Sequence, residues 1–371
     1  MTGNDQFEIF LVAAPGLEAE LCAEAKSRQF GKARVVDGGV VIKGGWREVW
    51  RANLQLRGAD RILARVASFR ARYLSELDKQ ARGVAWSELL RRDVPVRVEA
   101  TCSRSEIYHS GAAAERIERA IFDKAGAPIA DQAPVTIKVR IETDVCSISV
   151  DTSGEVLHKR GHKQAVAKAP MRETLASLFL RQCGYTGTEP VLDPMCGSGT
   201  FVIEAAEIAA DLPPGRSRPF AFERLATFDA EEWMRLKGLR PPIVPVARFF
   251  GRDRDAGAIR MSRANAERAG VSALVDFEAM DVKELVRPPG PAGLVIVNPP
   301  YGTRIGEAAG LDTLHRTLGQ VLRRQFAGWR VGLVTSEARL AEVTGLPFKP
   351  PMRPVGHGGL TVRLYTTDPL P

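Results

Sequence analysis

Residues 191–206 have the sequence VLDPMCGSGTFVIEAA, and this stretch decides the class of fold. An apolar pair stands before a loop that contains two glycines, and an apolar helical segment follows the loop. Glycines between a strand and a helix let the backbone turn tightly and approach a ligand closely. The spacing matches neither GxGxxG nor a Walker loop, so it does not indicate a diphosphate ligand. The candidate binding residues are Asp193, Pro194, Met195, Cys196, Gly197, Ser198, Gly199 and Thr200.

Strand-like and helix-like segments alternate downstream of this loop. The predicted strands are 247–250, 275–277, 294–297, 331–335 and 360–365, and the predicted helices are 201–210, 256–269 and 311–326. This alternation is typical of a mostly parallel sheet with helices on both faces. Ligands in such sheets bind beyond the carboxyl ends of the strands. We therefore predict a Rossmann-like α/β domain over residues 170–371, with the Pro- and Arg-rich residues 211–246 as an insertion.

Carboxylates follow the next two predicted strands. Asp253 comes just after the strand at 247–250, and Asp281 comes after the strand at 275–277. A carboxylate at the first position suits a pair of ribose hydroxyls, and one at the second suits an adenine amino group. Each Asp alone is as well explained by a solvated loop. Together with Asp193 on three successive strand ends, they predict a nucleoside site.

The fourth strand end carries Asn298, Pro299, Pro300 and Tyr301. Two consecutive prolines have no N–H to donate, so the buried strand must stop there. An exocyclic amine on a base is a poor nucleophile, because its lone pair is delocalised into the ring. The side-chain oxygen of Asn298 and the rigid carbonyl of Pro299 could hold its two hydrogens. Tyr301 could stack on the base, and we predict these four residues as the catalytic group.

The N-terminal half predicts an α+β region. Residues 1–45 contain a strand, an amphipathic segment and a turn, and residues 46–70 have apolar side chains at helical spacing. A strand near 94–100, a helix at 110–124 and a hairpin over 135–150 follow. Residues 156–169 form a basic connector, for which an RNA contact and a plain solvated linker are both open interpretations. The candidate RNA-binding residues are Lys159, Arg160, Lys163 and Lys168.

Composition narrows the class of protein. The chain has 371 residues, and 52 Lys and Arg against 44 Asp and Glu give a net charge of +8, which makes a polyanionic partner plausible. The five cysteines are scattered without CxxC pairs, so we expect no metal site, no disulfide framework and a reducing cytoplasm. No apolar run approaches membrane-spanning length. Cys196 lies inside the loop and is not predicted as a nucleophile, and none of the five dispersed histidines is assigned a catalytic role.

The chain resembles a class I S-adenosylmethionine-dependent methyltransferase that modifies exocyclic amines. Four stretches are similar to motifs of the bacterial 23S ribosomal RNA guanine-N2 methyltransferases: DTSGEVLHKRGHKQAVAKAPMRETLASLFLRQCGY at 151–185, LDPMCGSGTFVIEAA, FFGRDRDAGAIRMSRANAERAG and NPPYGTRIGE. In that resemblance residues 1–45 are a ferredoxin-like segment, 46–155 a THUMP-like RNA-binding domain, 156–169 a linker and 170–371 the methyltransferase domain. The best-known enterobacterial relatives continue into a second methyltransferase that this sequence lacks, so a single reaction is expected.

The resemblance implies roles for the motif residues. Asp193 and the loop from Gly197 to Thr200 would cradle the methionine part of S-adenosylmethionine, with Asp253 on the ribose and Asp281 on the adenine. Asn298 would lie between cofactor and substrate, and the residues through Tyr301 would hold the guanine amine. We expect a monomer that acts on ribosomal RNA without a metal or a membrane. Three alternatives remain: a transfer RNA guanine-N2 methyltransferase, a DNA adenine-N6 methyltransferase, and a non-catalytic RNA-binding ribosome assembly factor.

Overall fold

A computed structural model of the protein describes residues 6–164, 171–238, 241, 243–301 and 308–371. The chain forms two compact units. The first comprises Met1–Ala13, Leu21–Leu157 and Arg218–Arg240, and the second comprises Ala14–Glu20, His158–Ser217 and Pro241–Pro371. None of the described helices is long and apolar enough to cross a membrane.

The N-terminal half is built on one seven-stranded sheet. Its elements in chain order are β1 Phe7–Val12, α1 Glu18–Ser27, β2 Arg34–Val36, β3 Gly39–Gly44, α2 Trp46–Gln55, β4 Arg61–Arg70, α3 Leu74–Ala81, α4 Trp86–Leu89, β5 Val96–Ser103, α5 Ser110–Ala125, β6 Val135–Glu142 and β7 Val145–Asp151. The strand order is β2-β3-β1-β4-β7-β6-β5. The predicted strand, helix and hairpin therefore correspond to β5, α5, β6 and β7.

The first four strands form a βαββαβ unit that runs through residue 70. β1 is central and pairs antiparallel with both β3 and β4, which is the ferredoxin-like arrangement. The prediction of one helix over 46–70 is wrong in its second half, because α2 ends at Gln55 and β4 begins at Arg61. Ile62 and Ala64 are fully buried, and β4 is hydrogen-bonded on both sides, to β1 and to β7. Tertiary pairing here overrides the local helical spacing.

Residues of the predicted insertion join this first unit through an aromatic cluster. Phe222 stacks on Phe220 with ring centroids 5.1 Å apart and meets Trp233 edge-on at 5.1 Å. Trp50 on α2 lies 6.2 Å from Phe222 and 5.9 Å from Phe228. Aromatic rings packed in this way bury large apolar areas, which explains why this part of the chain belongs to the unit that contains α2.

The C-terminal half alternates strands and helices as the sequence predicts. Its elements are α6 Glu173–Gln182, β8 Val191–Asp193, α7 Thr200–Ala209, α8 Ala230–Gly238, β9 Phe249–Asp253, α9 Ala256–Ala269, β10 Val275–Ala279, β11 Leu294–Val297, α10 Ala308–Gln325, β12 Arg330–Thr335, α11 Ala338–Val343, β13 Val355–His357 and β14 Leu360–Thr366. Except for α8, which lies in the first unit, these elements belong to the second. Short 3₁₀ helices cover Ala221–Arg224 and Val282–Glu284.

The sheet of the second unit has the order β10-β9-β8-β11-β12-β14-β13. From β10 to β12 all neighbours pair in parallel, and β14 is antiparallel to both of its neighbours. The chain builds β9 and β10 on one side of β8 and then crosses to build β11 on the other side. This topological switch opens a crevice beyond the carboxyl ends of β8 and β11, where doubly wound folds bind ligands. The predicted Rossmann-like fold class is confirmed.

Candidate active site

Four neighbouring parallel strands carry the predicted polar residues at one edge of the sheet. Asp193 is the last residue of β8 and Asp253 is the last residue of β9. Asp281 and Asn298 follow the ends of β10 and β11. Because these strands are parallel and adjacent, their carboxyl ends meet at the same edge. The sequence order of the four residues therefore becomes a spatial order across the switch point.

The loop between β8 and α7 is held in a tight, fixed turn. Gly197 and Gly199 have φ angles of 53° and 84°, in the left-handed region that favours glycine. A Cβ at Gly199 would lie 3.0 Å from the Phe277 ring. The Ser262 hydroxyl donates to the Gly197 carbonyl at 2.7 Å, so a side chain of α9 anchors the loop from below.

Asp253 supports the same loop from the neighbouring strand. Its Oδ2 accepts a hydrogen bond from the Gly197 N–H at 2.9 Å, and its Oδ1 accepts one from the Asp255 N–H at 2.9 Å. An ionised carboxylate has about four acceptor positions, so these bonds leave capacity for further donors. Asp281 caps a short helix by accepting from the Lys283 N–H at 3.0 Å, and its side chain is 39% exposed.

Asp193 is a buried carboxyl group. It is 2% exposed, and its Oδ1 accepts a hydrogen bond from the Met195 N–H at 3.0 Å. Burial raises its pKa well above the ordinary value, and the nearby Asp253 charge adds to that shift. No Lys or Arg among the described residues forms an ion pair with it. A buried carboxylate without a cationic partner is costly, so a cationic group that entered this site would be strongly favoured.

The Cys196 thiol is buried within the loop. It is 6% exposed, and burial, followed by the charges of Asp193 and Asp253, raises its pKa well above the usual value. Since the thiolate is the nucleophilic form, this environment disfavours a nucleophilic role for Cys196.

Asn298 and Tyr301 lie in the segment that directly follows β11 and place two polar side chains there. The Asn298 Oδ1 atom is buried and has no hydrogen-bond partner in the described part of the chain. Burial raises the pKa of Tyr301 to about 12, while a hydrogen bond with the Asn298 side chain opposes that rise. Pro299 is buried and Pro300 is exposed. An unpartnered buried acceptor is rare in native proteins and calls for a ligand or another explanation.

A cavity of about 350 Å³ joins the loop to Asn298. Its walls are formed by Met171, Asp193, Met195, Cys196, Gly197, Ser198, Thr200, Phe201, Asn298, Pro299, Pro300, Tyr301, His357, Gly358 and Leu360. The structure thus brings together most residues of the two predicted motifs. Pro194, Gly199, Asp253 and Asp281 do not line the cavity; the two carboxylates lie at the adjoining strand ends. The lining residues that were not predicted as site residues are Met171, Phe201, His357, Gly358 and Leu360. Met171 lies in the stretch 151–185 that resembles the family, whereas His357 belongs to no motif.

The predicted basic RNA contacts divide into three groups. Arg160 is 2% exposed and pairs with buried Glu204 at 3.1 Å, so the structure does not support an RNA contact there. Lys163 also points inward, because its Nζ donates to the Met171 carbonyl and the Thr200 hydroxyl, each at 2.9 Å. Lys159 is exposed and remains a prediction. Lys168 lies outside the described residues.

Comparisons with known families match both halves of the chain. The family model described as "RMKL-like, methyltransferase domain" (UPF0020) matches residues 160–354, just over half of the chain. The model of the RlmL ferredoxin-like domain matches residues 8–63. These matches confirm the predicted family resemblance at the level of the methyltransferase domain and the ferredoxin-like N-terminal region.

Solved structures resemble the chain over nearly its full length. A "possible methylase" from Clostridium difficile 630 is 27% identical, covers 99% of both chains and has a TM-score of 0.88. A protein named as a predicted N6-adenine-specific DNA methylase, from Listeria monocytogenes str. 4b F2365, is 29% identical, with 98% of this chain and 96% of that chain covered and a TM-score of 0.85. SMU.472, which was solved in complex with SAH, is 27% identical over 99% of both chains, with a TM-score of 0.86.

Proposed function

The chain belongs to the RMKL-like methyltransferase domain family, and on that premise we propose that it methylates the exocyclic N2 amine of a guanine in RNA, with 23S ribosomal RNA as substrate. The methyl donor is S-adenosylmethionine. One observation carries the proposal: a single cavity contains a buried carboxylate without a cationic partner, Asp193, and a buried amide oxygen without a donor, Asn298. The first suits a cationic cofactor, and the second suits an amine.

The loop side of the cavity fits the methionine part of the cofactor. Asp193 would accept hydrogen bonds from an α-ammonium group, which restores the partner that this buried carboxylate lacks. At Gly197 an added Cβ would meet no atom within 4 Å, so the backbone lies open to the cavity and a ligand can approach it. Asp253 and Asp281, at the adjoining strand ends, would bind the ribose hydroxyls and the adenine amine. When bound, S-adenosylmethionine supplies an electrophilic methyl group on a sulfonium centre.

Asn298 and its neighbours form the substrate side. The Asn298 oxygen would accept one hydrogen of the exocyclic amine and the Pro299 carbonyl would accept the other, which directs the nitrogen lone pair toward the methyl donor. The prolines hold that carbonyl rigidly, so little reorganisation is needed during reaction. Tyr301 keeps its proton at neutral pH, since burial raises its pKa to about 12, and a neutral ring is suited to stacking on a base.

The choice of RNA rests on the N-terminal half. The RlmL ferredoxin-like match over residues 8–63 and the following α+β region support a ribosomal RNA substrate, in agreement with the THUMP-like resemblance. Holding an amine by two acceptors serves adenine N6 as well as guanine N2. The name of the Listeria relative therefore supports DNA adenine methylation as the second candidate, and a transfer RNA guanine is the nearest variant of the first.

The test is mass spectrometry of nucleosides from a deletion strain, with ribosomal RNA, transfer RNA and DNA digested separately. Loss of one N2-methylguanosine from 23S ribosomal RNA, restored by the wild-type gene, supports the proposal. Loss of N2-methylguanosine from transfer RNA instead would identify transfer RNA as the substrate. Loss of N6-methyladenine from DNA with unchanged RNA refutes it in favour of the second candidate. Unchanged nucleosides in all three pools favour a non-catalytic assembly factor.

A further inference from the structure

His357 lines the cavity of the candidate active site but belongs to none of the sequence motifs. It is the last residue of β13 and pairs with Leu360, so Gly358 and Gly359 form a two-residue turn between them. Both glycines have positive φ angles, 59° and 81°, as two-residue hairpin turns of this type require. His357 is 5% exposed and lines the cavity together with Gly358 and Leu360. The turn therefore fixes a buried imidazole at the cavity wall.

Both ring nitrogens of His357 are buried without a hydrogen-bond partner in the described part of the chain. A neutral imidazole has one donor and one acceptor, so two hydrogen-bonding positions are left unused. Burial lowers the pKa of His357, and the positive charges of Arg172 and Lys163 lower it further, which favours the neutral ring. Buried polar groups in native proteins almost always have partners. A ligand of the cavity is the partner that this geometry admits.

The sheet order indicates which ligand His357 faces. The proposed cofactor residues follow β8, β9 and β10, on one side of the switch point. β13 is the last strand on the other side of the switch point, beyond β11, β12 and β14. Its carboxyl end points the same way as that of β11, because β14 is antiparallel to both β12 and β13. The strand order therefore places His357 on the same side of β8 as Asn298, where the proposed substrate amine is held, and Arg172 and Lys163 are the charged groups that act on it.

We propose that His357 is a base-recognition residue, whose imidazole hydrogen-bonds the edge of the target purine beside the amine held by Asn298. This inference rests on the proposed function and extends it to the choice of base. Guanine carries an N1–H donor next to its N2 amine, and an unprotonated ring nitrogen of His357 can accept that hydrogen. Adenine has an acceptor at N1 instead. The tautomer whose unprotonated nitrogen faces the base thus favours guanine, whereas the opposite tautomer would donate to adenine N1, and the comparison of the two nucleotides below distinguishes them.

The experiment compares three variants with the wild type. His357→Phe fills the space without hydrogen bonding, His357→Asn keeps one donor and one acceptor, and Thr361→Ala, at an exposed position of β14 outside the cavity, is the control. We expect His357→Phe to lower kcat/KM for RNA about tenfold or more, with an unchanged dissociation constant for S-adenosylmethionine in calorimetry. His357→Asn should recover part of that loss, and Thr361→Ala should leave kcat/KM unchanged. Equal rates for His357→Phe and wild type, or a matching loss of cofactor affinity, would overturn the proposal.

A direct readout separates this inference from the proposed function. The ring ¹H–¹³C NMR signal of His357 is followed while guanosine 5′-monophosphate, and separately adenosine 5′-monophosphate, is added to protein saturated with S-adenosylhomocysteine. A shift with the guanine nucleotide alone supports base recognition, whatever nucleic acid the deletion strain identifies. No shift with either nucleotide, or equal shifts with both, refutes it. The proposed function can therefore fail on the RNA class while the role of His357 stands.

Discussion

Replacing Arg160 with Ala tests whether the basic segment stabilises the fold or binds RNA. Arg160 and Glu204 are 2% and 1% exposed in their side chains, and the Arg160 Nε lies 3.1 Å from a Glu204 carboxylate oxygen. Removal of one partner from a buried ion pair leaves the other charge desolvated, and the typical loss is about 3–5 kcal/mol. For a unit of this size each kcal/mol lowers the unfolding midpoint by about 2–4 °C. We therefore expect a decrease of about 6–20 °C.

Differential scanning calorimetry of three variants measures this effect. Arg160→Ala should unfold at the lower temperature, and Arg160→Met combined with Glu204→Met should recover most of the loss, because buried pairs are often replaceable by apolar residues of similar volume. Lys159→Ala is the matched control, since Lys159 is exposed and its removal should leave the midpoint within about 2 °C. If Arg160→Ala kept the wild-type midpoint and instead weakened RNA binding with a smaller salt dependence, the structural interpretation would be refuted.

Three further predictions concern the cavity and its frame. Asn298→Ala should bind S-adenosylmethionine normally in calorimetry while methyl transfer falls about 100-fold or more, and transfer at the wild-type rate would contradict the amine-holding role. Asp193→Asn should weaken cofactor binding yet raise the unfolding midpoint at neutral pH by an amount equivalent to about 0.5–2 kcal/mol. Burial raises the folded-state pKa of Asp193, so the stability that its protonated form contributes is present below the ordinary Asp pKa and is lost as pH rises through the folded value. The midpoint gain of Asp193→Asn should therefore vanish at acidic pH. A gain independent of pH would count against this explanation. Gly251→Ala places a Cβ into the Phe277 ring and should cost about 1–3 kcal/mol, whereas Gly310→Ala, where a Cβ meets nothing within 4 Å, should not lower the midpoint.

The positions of the candidate residues could be predicted from the sequence because strand ends have local signatures. An apolar run, a breaker and a polar residue identify each strand end, and parallel pairing then brings the four ends together. Asp193, Asp253, Asp281 and Asn298 needed only the order of the elements along the chain for their placement. The same reasoning found Gly197 and its neighbours, since a glycine-rich turn between a strand and a helix has a clear signature.

The features that could not be predicted from the sequence depend on contacts between residues that are distant in the chain. The second half of 46–70 has helical spacing, yet β4 forms there because β1 and β7 offer hydrogen bonds on both sides. The sequence places Arg160 in a basic run that could be solvated. Its burial depends on Glu204, a partner 44 residues away on a helix, which the sequence does not identify. His357 belongs to no motif, so its role depends entirely on the hairpin that brings it to the cavity.

The cavity combines three groups that weaken the unliganded fold. Asp193 is a buried carboxylate without a cation, the Asn298 oxygen has no donor among the described residues, and neither ring nitrogen of His357 has a partner there. Each unsatisfied group costs about 1–3 kcal/mol. Other buried atoms without a partner lie elsewhere in the described chain, but these three groups line one cavity. Their location around one cavity means that a cation, an amine and a purine edge can each restore one missing interaction. Binding can restore these interactions, so cofactor and substrate should each stabilise the second unit against unfolding.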